Sequence, residues 1–140
     1  MRFITVTREG EAFAIAAGLW LGGKTPVVLI QNTGFLESGD SLRGTAVRMR
    51  VPLLCLITYR GYRKLRSWQA EHGAPALDAG SLSCAGLDSA ALVTESTLKA
   101  WRVPLDFLHE DGHLMKIADA FRLAYAQSQP VALLVTDDLG

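Results

Sequence analysis

Three short stretches carry side chains able to do chemistry, and each stands where an apolar run ends. The first is Thr7-Arg8-Glu9-Gly10, which places a carboxylate between the β-branched run Phe3-Ile4-Thr5-Val6 and an alanine-rich run. A carboxylate in a dry pocket can hold or exchange a proton with a bound ring or acid. An acid at that point also complements the positive end of a helix, a role Glu11 could share. The second stretch is Gln31-Asn32-Thr33-Gly34. Its amides can fix a flat polar ligand by paired hydrogen bonds, or form an ordinary polar turn before a helix. The third is Tyr59-Arg60-Gly61, where a guanidinium could grip an anionic group bidentately or remain a solvated surface arginine.

The remaining reactive side chains fall into no pattern. His72, His109 and His113 lack metal-ligand spacing with cysteine or acidic residues, so they read as structural or solvated and no metal site is expected. Cys55 and Cys84 are the only cysteines and share no motif, which predicts free thiols and a cytoplasmic setting. Trp20, Trp68 and Trp101 read as packing or interface residues. P-loop, dinucleotide-binding and nucleophile-elbow motifs are absent from the sequence.

The elements that must position these residues alternate between strand and helix. Phe3–Val6 reads as a short buried strand, and Glu9 to Gly18 as the start of a buried helix that stops at Gly22-Gly23 before Pro26. Val27–Ile30 is a continuous apolar run, as expected of a strand covered on both faces, and Gln31–Gly34 follows it as a loop. A helix is expected from about Leu36 to Met49, weakened by Gly39 and Gly44, then a strand over Val51–Thr58. From Tyr62 to Asp88 the periodicity dissolves into a long loop punctuated by glycine and proline. Further elements are a helix over Ser89–Arg102, a strand over Val103–Leu108, and a helix whose buried face is Leu114, Ile117, Ala118, Phe121, Ala124 and Tyr125. Pro130–Thr136 is the last strand.

This order predicts an α/β fold, a three-layer α/β/α domain with a parallel sheet and right-handed crossovers. In such a sheet ligands sit at the carboxyl ends of the strands, where all three stretches fall. With 140 residues the chain is one domain, 1–140. Lys and Arg (14) balance Asp and Glu (14), which argues against a nucleic-acid or anionic-membrane surface. An apolar share of 49% is high and points to subunit contacts. The longest apolar run, Ala12–Leu21, is shorter than the roughly 20 residues a bilayer crossing needs, and no export signal is legible at the start.

Taken together, Val6-Thr7-Arg8-Glu9-Gly10-Glu11-Ala12, Ala16-Ala17-Gly18, Gly22-Gly23-Lys24, Gln31-Asn32-Thr33-Gly34 and Ile57-Thr58-Tyr59-Arg60-Gly61 resemble, in order and spacing, a known family. It is that of the pyrimidine-binding subunit of sulfopyruvate decarboxylase and the related phosphonopyruvate decarboxylase. Val93-Thr94-Glu95, with Leu98 and Trp101, and Pro130–Leu134 extend the likeness.

The resemblance implies a thiamine diphosphate (ThDP) enzyme acting on a 2-oxo acid. It makes Glu9 the glutamate that meets the cofactor's aminopyrimidine ring at N1′, with Glu11 the less well-spaced rival. Gln31, Asn32, Thr33 and Gly34 then lie near the cofactor or substrate. Arg60 becomes a structural anchor or a contact to the substrate's second anion. The family holds the diphosphate through Mg²⁺ on a Gly-Asp-Gly…Asn motif that this sequence lacks. A partner subunit is therefore expected to supply the metal site, in a hetero-oligomer, with this chain inactive alone.

Three departures qualify the likeness. Family members begin with a strand and helix that precede the equivalent of Met1, which predicts an open sheet edge and exposed apolar surface here. Phe35-Leu36-Glu37 replaces the usual Leu-Gly-Asn, adding a carboxylate that would disfavour a sulfonate or phosphonate. The stretch from Ala74 to Asp88 is longer than its counterpart. A non-catalytic, truncated pyrimidine-type domain serving as a structural or regulatory oligomer is the alternative these departures leave open. A flavodoxin-like binding module sharing only the fold is another.

Overall fold

A computed structural model describes residues 2–109 and 115–136. Its frame is a four-stranded, all-parallel sheet in the order β1-β2-β4-β3, built from β1 (Val27–Gln31), β2 (Leu54–Thr58), β3 (Leu105–Leu108) and β4 (Val131–Val135). Parallel pairing sets Leu29 beside Leu56 and Leu56 beside Leu133, so side chains of like parity share a face.

On one face lie α1 (Glu9–Leu21), α2 (Asn32–Glu37), α3 (Gly39–Ser41), a π-helical turn (Leu42–Val47), α4 (Tyr62–His72) and α6 (Ser89–Ala100), while α5 (Ala79–Leu82) buries no side chain and meets α6. Phe13, Val28, Ile30, Phe35, Cys55, Ile57, Leu98 and Leu134 join in the main core there. On the other face α7 (Met115–Gln127) packs Ala120 and Ala124 on Leu54, Val131 and Leu133. The α/β class and its flanking helices match the expected three-layer domain.

Several elements differ from the sequence reading, each for a physical reason. Phe3–Val6 forms no strand: Phe3 is 82% and Ile4 58% exposed, and the backbone of residues 3–6 makes no hydrogen bond among the described residues. A strand-forming sequence needs a neighbour, and none lies beside it among the described residues. β1 is covered on one face only. Val28 and Ile30 are buried, while Val27 (44% exposed) and Leu29 (65%) sit on the α7 face beyond the reach of that helix. β1 forms one edge of the four-stranded sheet.

Gln31–Gly34 is not a loop, because the strand runs through Gln31 and α2 starts at Asn32. The anticipated single helix over Leu36–Met49 is broken into α2, α3 and the π-helical turn. The long loop from Tyr62 to Asp88 contains α4 and α5. α4 carries too few apolar residues for a sustained pattern, since it buries only Leu65 among otherwise exposed or half-buried residues. The buried face of α7 is rotated by a residue or two, with Ala120 and Ala124 inward and Ala118 and Tyr125 exposed. Leu114, His113 and the segment 110–112 lie outside the described residues.

Candidate active site

The three stretches singled out above converge at the carboxyl edge of β1 and β2. α1 opens at Glu9 with an extended Arg8 before it, and no side chain caps its first amides. Glu9 and Glu11 thus complement the helix dipole directly. Phe13, Ala16 and Ala17 bury the helix against the sheet and leave Glu9 at its upper, exposed end. The Glu9 carboxylate has no hydrogen bond or ion pair among the described residues.

Its stem, however, is closely housed. A Cβ built on Gly34 would fall 2.5 Å from Glu9 Cγ and 3.2 Å from Oε1, and 3.1 Å from Ile30 Cγ1. Only glycine leaves the first turn of α2 close enough for the glutamate to lie across it. The glutamate and the Gln-Asn-Thr-Gly stretch, far apart in sequence, are therefore in contact.

The four residues of that stretch have different surroundings. Gln31 is exposed, and its Oε1 accepts a 2.7 Å hydrogen bond from the Thr33 hydroxyl, so the two form one polar pair at the start of α2. Asn32 is fully buried: Nδ2 donates to the Arg60 carbonyl at 3.1 Å, and Oδ1 accepts from the Thr33 amide at 3.1 Å. Its side chain is spent on the protein rather than offered to a ligand. Glu37, the departure noted above, is exposed at the last residue of α2.

Arg60 is anchored. Its Nε donates to Asp88 Oδ2 at 2.9 Å, while Asp88 Oδ1 caps α6 by accepting from the Ala90 and Ala91 amides. Gly61, at φ +83°, holds the left-handed turn, and a Cβ there would stand 2.6 Å from Asp88 Cβ. The ion pair ties the Arg60 side chain to Asp88, with the arginine still 54% exposed.

Among the described residues no group of three or more His, Cys, Asp or Glu could hold a metal ion. His72 Nδ1 contacts the Trp68 carbonyl, and His109 stacks on Phe107 and meets Thr136 Oγ1 at 2.7 Å. Trp101 packs edge-on to Phe35 and over Gly39, a packing role as expected. Cys55 and Cys84 are free thiols, and burial pushes Cys55 up to about 12.

One arrangement was not anticipated. A cleft of about 230 Å³ between α4 and α6 is lined by Tyr59, Leu65, Arg66, Gln69, Glu95 and Lys99, among others. Glu95 Oε1 lies 3.3 Å from the Tyr59 hydroxyl and 3.4 Å from Arg66, and Oε2 meets Lys99 at 3.5 Å. Burial, then the charge and hydrogen bond of Glu95, raise the Tyr59 phenol well above its usual range. Glu9, residues 31–34 and Arg60 are not among the cleft residues, and its charges answer one another. Of the cluster, the family likeness takes in Glu95, within Val93-Thr94-Glu95, and Tyr59, beside Arg60.

No protein-family model matches the chain. Among characterised proteins, a phosphonopyruvate decarboxylase of Streptomyces viridochromogenes is 42% identical over 60 residues, 43% of this chain and 15% of that protein. The sulfopyruvate decarboxylase alpha subunit of Methanocaldococcus jannaschii is 40% identical over 58 residues, 41% of this chain and 34% of the subunit. That of Methanothermobacter thermautotrophicus is 36% identical over 58 residues, 41% of this chain and 35% of the subunit. The matched segment thus spans well under two thirds of each relative's length. The motif resemblance is borne out over about 60 residues as sequence similarity to phosphonopyruvate decarboxylases and sulfopyruvate decarboxylase alpha subunits.

Proposed function

We propose that this chain, over 1–140, is the pyrimidine-binding part of a ThDP-dependent 2-oxo acid decarboxylase of the sulfopyruvate or phosphonopyruvate type. The observation that carries the reading is Glu9: an unpartnered carboxylate at the carboxyl edge of the sheet, seated on Gly34. That donor set fits the pyrimidine end of ThDP, whose ring needs a carboxylate at N1′ and polar groups beside it. Bound ThDP supplies the electron sink for losing CO₂ from a 2-oxo acid.

The residues of this chain do the rest of the work at that end. Glu9 would hold a proton and donate it in a hydrogen bond to N1′, an interaction that would strengthen in a site closed to water. Gln31 and Thr33 present an amide and a hydroxyl next to it, and Gly34 leaves the room in which the Glu9 stem lies. Arg60, tied to Asp88, holds the neighbouring corner. The diphosphate end does not fit this chain, since no acidic cluster is present for Mg²⁺ among the described residues. A ThDP-binding partner subunit would provide it. The alpha-subunit names of the relatives support a divided enzyme.

The open edge at β1 and the unpaired Phe3–Val6 favour a second reading, a non-catalytic oligomer. Native mass spectrometry of the chain isolated from its own cells separates the two. A complex with a second chain and ThDP is expected. A homo-oligomer without cofactor would overturn the enzymatic reading.

A further inference from the structure

We infer that Asn32 is a positioning residue for Glu9: its buried amide pins the start of α2 to the Arg60 corner and thereby holds Gly34 beneath the glutamate. The functional consequence rests on the role proposed for Glu9, whereas the positioning concerns this chain alone.

Burial comes first. Asn32 is 0% exposed, so its amide reaches no ligand at the surface. The orientation of that amide follows from its neighbours. Oδ1 faces the Thr33 amide and Nδ2 faces the Arg60 carbonyl, each at 3.1 Å. Exchanging oxygen and nitrogen would set donor against donor and acceptor against acceptor.

The far end of this strut is fixed independently. Arg60 is held to Asp88, Asp88 caps α6, and Gly61 packs on Asp88 through a left-handed turn. The near end needs the strut. α2 has six residues, far fewer than the roughly 12–15 at which a helix becomes stable by itself. Gly34 stands two residues beyond Asn32, and with a Cβ position 2.5 Å from Glu9 Cγ, any shift of that turn is transmitted to the glutamate.

The variant N32D keeps the shape and exchanges the donor for a carboxylate facing a carbonyl. Burial raises the introduced carboxyl's pKa, so it takes up a proton in mildly acidic solution and can donate to the Arg60 carbonyl again. The ionisable groups tied to this corner are Glu9, Arg60 and Asp88, whose own titration is removed by running wild type beside the variant. The readouts are the NMR signals of the Gly34 amide and the ¹³C-labelled Glu9 carboxyl, in cofactor-free protein. N32D should displace both at neutral pH, and the differences from wild type should vanish on acidification.

Signals coinciding with wild type at every pH would overturn the inference, as would a displacement that does not change with pH. If N32D fails to fold, N32A is read by hydrogen exchange. Exchange at Thr33 and Gly34 should rise at least tenfold with the β2 and β4 amides unchanged, and unaltered exchange would overturn it. Neither result bears on whether Glu9 activates ThDP, which is read separately by cofactor C2–H exchange.

Discussion

Gly34 carries no side chain, and the stem of Glu9 occupies the room this leaves. Gly34→Ala would gain up to about 1 kcal/mol of helix propensity, yet overpacking against Glu9 and Ile30 costs about 1–3 kcal/mol. Urea unfolding should therefore show Gly34→Ala less stable than wild type. In the Glu9→Ala background most of that loss should disappear, a coupling of about 0.5–3 kcal/mol. Strict additivity would mean that the two side chains do not meet. Cys55 gives a second prediction. Its folded pKa is raised by burial from 9.0 to about 12, so the thiol favours the folded state fully below pH 9.0. Above that the unfolded chain ionises first and stability falls as pH climbs toward 12. A thiol reagent should accordingly modify Cys84 in the native protein and Cys55 only on unfolding.

At the scale of elements, the Asp88 corner unites a helix cap with an anchor for the chain leaving β2. Asp88→Ala removes both and should cost about 0.5–2 kcal/mol by thermal or urea unfolding. Arg60→Ala leaves the cap in place and removes only an ion pair whose arginine is 54% exposed, so its cost should stay within about 1 kcal/mol. Equal losses would show that the cap contributes nothing. The strand–helix alternation was legible because β2 and β4 are buried on both faces and read as unbroken apolar runs. The same pattern misled at Val27–Ile30, since the covering of a strand's second face depends on a helix elsewhere in the chain. Phe3–Val6 failed for a kindred reason, as pairing belongs to two segments and the sequence shows one. The positions of Glu9, residues 31–34 and Arg60 at strand ends could be read; the burial of Asn32 could not. It depends on a carbonyl 28 residues away.

The whole molecule presents an uneven sheet, with one face covered by α1, α2, the π-helical turn, α4 and α6 and the other by α7 alone among the described residues. Val27, Leu29 and Leu21 are left exposed near the free edge of β1, with Phe3 and Ile4 also in solvent. Such an edge favours association. Sedimentation velocity of the isolated chain should show self-association that rises with concentration. Leu29→Lys should suppress it, with stability changed by no more than about 0.5 kcal/mol because the side chain is 65% exposed. Unchanged association would place the contact elsewhere. The central claim, that Glu9 serves the cofactor ring, is tested most directly in the assembled complex by the rate of ThDP C2–H exchange. Glu9→Gln should slow it by orders of magnitude while the complex stays intact. Exchange at the wild-type rate in an intact Glu9→Gln complex would contradict the account.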